Sequence, residues 1–191
     1  MVPERPDIQI LDLERSLLVM VDVQERLVPV MRDAARMISR LSVLLRGCVV
    51  LGVPVLISEQ YPRGLGPTLE VLSELVPEAQ RIEKTSFSCT GSRAFNEALR
   101  ATERDQIVLC GIEAHICVAQ TALGLRRAGY EVFCVEDAVS SRLDDTRSIG
   151  IARMRAAGVL PGAVESVLFE WQDRCDREGF KSLSGLVKEL A

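Results

Sequence analysis

Histidine is nearly missing from this sequence: the 191 residues contain one, His115. A Ser-His-Asp triad or a multi-histidine metal site would have to be built from that single residue, so most histidine-dependent chemistry is excluded. The six cysteines (Cys48, Cys89, Cys110, Cys117, Cys134 and Cys175) include no C-x-x-C pair, which removes the common redox and zinc-ligand spacings. No block of five like charges occurs, and 23 basic against 27 acidic residues leave a net charge of −4. Such a chain repels phosphate backbones, so nucleic acid is not an expected partner. The longest uncharged stretch near the middle, residues 47–58, is about 12 residues, short of the roughly 20 that cross a bilayer. The opening Met-Val-Pro-Glu-Arg-Pro-Asp lacks a basic segment followed by an apolar one, so no signal peptide is expected. A cytoplasmic location with reduced thiols follows as an expectation. No G-x-G-x-x-G follows a strand; Gly64-Leu65-Gly66 precedes Pro67 and fits a turn.

What is present is enough apolar material for a core. Hydrophobic residues make up 48% of the chain, which excludes intrinsic disorder, and the length suits one α/β domain over residues 1–191. Short apolar runs alternate with helical stretches. Residues 16–22, 53–58, 81–83, 107–111, 131–136 and 163–169 read as six strands. Between them, residues 34–51 form a helix with Met37, Leu41, Leu44, Leu45 and Cys48 on one face. Residues 59–68 are a Gly- and Pro-rich loop before a short helix over 69–75. Residues 92–101 form a helix with Ser92 as N-cap, and residues 116–128 one ending at Gly129. Residues 144–157 and 181–190 complete the helices. This alternation predicts an α/β fold, a parallel sheet with helices on both faces, whose ligands bind beyond the carboxyl ends of the strands.

Three segments lie at such ends, and each offers one reactive side chain. Asp22 closes an apolar strand, where a carboxylate is costly unless paired or used; its plain structural role would be an N-cap. Lys84 precedes Thr85-Ser86-Phe87 and could equally be a solvated lysine. Cys117 opens a helix, a placement that lowers a thiol's pKa, although a cysteine there also packs well. Cys48, Cys110 and Cys134 sit among Val, Leu and Phe and read as small buried hydrophobes. Together Asp22, Lys84 and Cys117 suit nucleophilic catalysis without histidine: Asp22 takes the thiol proton, Lys84 holds the charges and helix amides face an oxyanion. His115 lies two residues from Cys117, a spacing that does not face it across a helix start, and is read as a pocket-wall or interface residue.

With these residues in place the chain resembles the isochorismatase-like cysteine hydrolases, in the branch of isochorismatase domain-containing proteins. The resemblance is carried in order by V-D-V-Q-E-R (21–26), S-E-Q-Y-P-R-G-L-G-P-T (58–68), E-K-T-S-F-S-C (83–89), G-I-E-A-H-I-C-V (111–118) and V-E-D-A-V-S-S-R (135–142). It implies a three-layer α/β/α fold of Rossmann-like topology with a six-stranded parallel sheet, and an Asp-Lys-Cys triad at Asp22, Lys84 and Cys117. It also implies a cis peptide at Ile112–Glu113 and an oxyanion hole from the amides of Glu113 and Cys117. Gln24, Leu27, Tyr61, Phe87 and His115 are the pocket candidates. Leu27 stands where many members carry an aromatic residue. The expected activity is hydrolysis of a small amide-like or related carbonyl substrate, with no cofactor and a homo-oligomeric state. Vinyl-ether hydrolysis and a catalytically idle interaction domain are the alternatives; a thiol redox pair would need Cys89 near Cys117, which no sequence feature requires.

Metal-bearing members of this superfamily use an aspartate and two histidines after strand two, and residues 59–68 hold no histidine. Purified protein is therefore expected to carry no stoichiometric zinc or iron, and chelator to leave hydrolysis unchanged. Elemental analysis finding about one tightly bound transition metal per chain would contradict this.

Overall fold

The computed structural model describes residues 10–190; the signal-peptide reading concerns positions outside the described residues. Six strands form one all-parallel sheet in the order β3-β2-β1-β4-β5-β6. They are β1 (Ser16–Val21), β2 (Val55–Gln60), β3 (Gln80–Lys84), β4 (Gln106–Ile112), β5 (Glu131–Ser140) and β6 (Leu160–Gly162). Every residue of β1 and β4 is buried, as expected of central strands covered on both faces.

Alternation along these strands feeds two cores. Leu18 and Met20 of β1, with Val108 and Cys110 of β4, face the side of α1 (Ala34–Leu51), α7 (Val164–Gln172) and α8 (Phe180–Val187). Leu17, Val19 and Val21, with Ile107 and Leu109, face α4 (Arg93–Ala101), α5 (Ala119–Arg127) and α6 (Asp144–Ala156). Period-two side chains on a buried strand produce this division. Two short helices, α2 (Pro62–Leu65) and α3 (Glu70–Ser73), lie between β2 and β3. Ser92 caps α4 by accepting from the Phe95 amide at 3.4 Å, and Gly129 at φ 93° follows α5.

The sixth strand is displaced from the sequence expectation. Residues 163–169 are not a strand: they belong to α7, and β6 is the three-residue Leu160–Gly162 before it. Val164, Val167, Leu168 and Trp171 are buried together at i, i+3, i+4 and i+7, a helical stripe that a short apolar run conceals. Strand five is longer than read, reaching Ser140, and the helix after β4 begins earlier, with a π-helical turn over Ala114–Val118.

The chain order reverses between β1 and β4, so their carboxyl ends open the crevice in which open α/β sheets bind ligands. The two strands come unusually close there. Gly111 has φ +107°, and a Cβ at this position would stand 2.2 Å from the Val21 carbonyl oxygen. Only glycine permits both the conformation and the approach.

Candidate active site

Asp22 follows β1 directly, in the left-handed region at φ 53°, a conformation aspartate tolerates better than most residues. Its amide donates to the Ser58 carbonyl at 3.1 Å, which ties the end of β1 to β2. Lys84 is the last residue of β3, and its side chain reaches across β2 to the carboxylate. Lys84 Nζ lies 2.6 Å from Asp22 Oδ2, and neither side chain has any exposed surface. The ammonium also donates to Gln60 Oε1 at 2.8 Å and to the carbonyls of Phe87 and Ser86 at 3.2 and 3.3 Å. Ser58 Oγ donates to the second carboxylate oxygen, Asp22 Oδ1, at 2.7 Å. A buried charge pair is tolerable only when its remaining donors and acceptors are satisfied in this way.

Cys117 lies in the π-helical turn after β4, with 8% of its surface exposed. Its thiol is near enough to the Asp22 carboxylate for that charge to add to burial in shifting its ionisation. Burial pushes the Asp22 carboxyl up from its ordinary range, against the opposing pull of Lys84 and Ser58. Burial and the Asp22 charge together push the Cys117 thiol up as well, outweighing Lys84. The expectation that the helix start lowers this thiol's pKa is corrected here. Burial of the sulfur, with the Asp22 carboxylate adding to it, favours the neutral thiol beside a base of raised proton affinity. Cys48, Cys110 and Cys134 are fully enclosed, and desolvation alone or chiefly holds their thiols protonated.

The other candidates divide sharply by position. The Ile112–Glu113 peptide is cis. Glu113 turns its carboxylate to Arg142, accepting from its amide and Nε at 3.1 Å each, and its carbonyl accepts from the amides of Ile116 and Val118. His115 Nδ1 is 3.0 Å from Ser141 Oγ. Gln24 is fully buried and clamps backbone: its amide donates to the carbonyls of Gln60 and Gly66 and accepts from the Gln60 amide. Leu27 packs against the α1-side core. Gln24 has no exposed surface, whereas Leu27 is partly exposed. Tyr61 and Phe87 are 55% and 56% exposed. Tyr61 lines a cleft of about 460 Å³ with Lys84, Arg63 and Ser86, and Cys117 is not among the residues lining it. Sequence reasoning missed two residues that hold the site, Ser58 and Gln60. Both were read as a strand end and a loop start, and only the strand pairing reveals that they face Asp22 and Lys84.

No cluster of three or more His, Cys, Asp or Glu side chains placed to hold a metal occurs among the described residues.

Removing one partner of the buried pair should cost more than removing both. Lys84→Met leaves a carboxylate without its cation and is expected to lose about 3–5 kcal/mol of stability near neutral pH. In that variant the folded carboxyl has a pKa raised above the unfolded 3.8, so stability is greatest below that value and falls as pH rises through the folded pKa. The double variant Lys84→Met/Asp22→Asn should lose less and show a flatter pH dependence. Urea unfolding from pH 4 to 8 measures both; a single variant as stable as the double at pH 8 would contradict the pairing.

Comparison with known proteins places this fold. The chain is 35% identical over 179 residues to isochorismatase domain-containing protein 2 of Danio rerio, covering 93% of this chain and 89% of that one. The MAR1 ribonuclease of Caenorhabditis elegans superposes with a TM-score of 0.89 at 29% identity, over 94% and 93% of the two chains. YcaC of Pseudomonas aeruginosa, described with hexane-2,5-diol and covalent acrylamide, gives 0.90 at 26% identity, over 95% and 93%. The isochorismatase domain model matches residues 16–166, and the chain belongs to the isochorismatase family.

Proposed function

We propose that this protein is a cysteine-dependent hydrolase of a small amide-like or related carbonyl compound, working through Asp22, Lys84 and Cys117. The observation that carries the reading is the fully buried Lys84–Asp22 pair with the Cys117 thiol beside it. A structural ion pair has no need of a neighbouring nucleophile. A thiolate, by contrast, needs both a base to take its proton and a cation to hold the charge.

In the proposed sequence Asp22 takes the Cys117 proton and the sulfur attacks the substrate carbonyl carbon. The electron pair of the C=O bond moves to oxygen, which rests against the amides of Glu113 and Cys117. As the carbonyl re-forms, the C–N or C–O bond breaks and Asp22 returns its proton to the leaving group. Water, activated by Asp22, then cleaves the thioester and restores the thiol. Lys84, donating to Asp22 Oδ2, favours the ionised carboxylate. The raised Asp22 carboxyl supports this role, because a carboxylate of ordinary pKa is too weak a base for a thiol.

The 8% exposure of Cys117 favours a small substrate. The acidic composition speaks against the ribonuclease activity by which the nematode relative is described. Six free thiols suit a reducing, cytoplasmic setting. No helix of the described residues is long and apolar enough to cross a membrane.

A panel of small amides and esters, assayed for release of the amine or alcohol, tests the reading. At least one substrate should be turned over, and Cys117→Ala should lower its kcat by about a thousandfold or more. Turnover that survives the substitution would contradict covalent catalysis. No turnover across a broad panel would favour the catalytically idle alternative.

A further inference from the structure

We propose that Ser58 is a positioning residue for Asp22, a reversible hydroxyl partner that remains hydrogen-bonded whether the carboxyl is charged or protonated. The proposal rests on the Asp-Lys-Cys reading above and deepens it.

Ser58 is held twice against Asp22. Its carbonyl accepts from the Asp22 amide at 3.1 Å and its hydroxyl donates to Oδ1 at 2.7 Å. The residue is buried within β2, in register with Val21. With Lys84 on Oδ2 and Ser58 on Oδ1, both carboxylate oxygens are held.

The two partners differ in what they can do when the base works. An ammonium has donors only, so Lys84 suits the carboxylate and resists its protonation. A hydroxyl donates or accepts. When the Cys117 S–H bond breaks and an O–H bond forms on Asp22, the electron pair stays on sulfur and no other reactant is required. With that proton on Oδ1, Ser58 turns to accept it and directs its own hydrogen elsewhere.

Behind Ser58 lies a group able to receive that hydrogen. Cys89 is fully buried, in the turn before α4, with its thiol near the hydroxyls of Ser58 and Thr121. Its amide donates to Thr121 Oγ1 at 2.9 Å, which fixes the turn to α5 one helical turn beyond Cys117. The catalytic steps above leave Cys89 without a task. As a weak acceptor for Ser58 it keeps the turned hydroxyl from standing unsatisfied in a dry interior.

The titratable groups facing Asp22 are Lys84 from β3, Cys117 from the π-helical turn and Cys89 from the turn before α4. Glu59 and Glu113, at neighbouring strand ends, are engaged by Thr68 and Arg142. The low-pH limb of Cys117 reactivity therefore reports loss of the first proton from the Asp22–Cys117 pair.

The test is the rate at which acrylamide alkylates Cys117, followed by peptide mass spectrometry from pH 4 to 9. Ser58→Ala removes a hydroxyl whose hydrogen bond to the charged carboxylate is stronger than that to the acid, so the low-pH limb should move upward by about one pH unit. Ser58→Thr keeps the hydroxyl and should restore the original limb. Ser58→Cys, a weaker donor, should move it in the same direction by less, and serves where Ser58→Ala gives no folded protein. An unmoved limb in Ser58→Ala or Ser58→Cys, or a limb in Ser58→Thr as displaced as in Ser58→Ala, would overturn the proposal. A displaced limb without turnover of any amide or ester counts against the assigned reaction alone. Turnover that depends on Cys117, with the limb unmoved, counts against Ser58 alone.

Discussion

The ion pair between Lys84 and Asp22 constrains everything around it, because two charges without water must be answered by fixed donors and acceptors. Asp22 Oδ1 takes the Ser58 hydroxyl. Lys84 Nζ takes Gln60 Oε1 and two carbonyls of the loop after β3. Gln60 is held in turn by Gln24, whose amide bridges the end of β2 to Gly66. The loops around the site are thus organised by hydrogen bonds radiating from one buried pair. The same dry setting that makes the pair expensive raises the proton affinity of Asp22, which is the property a base for a thiol requires.

The sheet order explains how three residues separated by 62 and 33 positions meet. In the arrangement β3-β2-β1-β4-β5-β6 the carboxyl ends of β1 and β4 are neighbours, and β3 lies one strand beyond β2. Asp22 and Cys117 thus sit at the switch point, while the long lysine side chain spans the width of β2. Gly111 lets β4 approach Val21 where a side chain would collide with its carbonyl oxygen. Gly150 does the same for α6 against the His115 backbone, since a Cβ there would lie 2.6 Å from the His115 Cα. These contacts set the depth at which the Cys117 turn rests above the sheet.

Much of this was legible from the sequence, and the failures have physical causes. Apolar runs such as residues 17–21 announce a two-sided sheet, and acids, amines and thiols at their ends stand out against that background. Residues 163–169 misled because a seven-residue window holds too few turns to separate a buried strand from a helix face. The β6 strand, Leu160-Pro161-Gly162, has almost no apolar signal. The Cys117 thiol was misjudged because a helix start is local and readable, whereas the burial of the sulfur depends on the packed fold. Ser58, Gln60 and Cys89 lie within the stretches 58–68 and 83–89 that carry the resemblance, yet a serine, a glutamine and a cysteine acquire a role only through what the fold sets beside them. Gln24 was noticed through the family motif, yet its amide serves the backbone of the loop.

The central claim is that Cys117 forms a covalent acyl intermediate under the control of Asp22. Its most direct test is acid-quenched intact-mass and peptide mass spectrometry during turnover of a slowly hydrolysed ester. The account predicts a mass increment equal to the acyl group, located on Cys117, appearing within the first turnover and decaying as substrate is exhausted. Product formation with Cys117 unmodified at every quench time, or the increment on another cysteine, would contradict it.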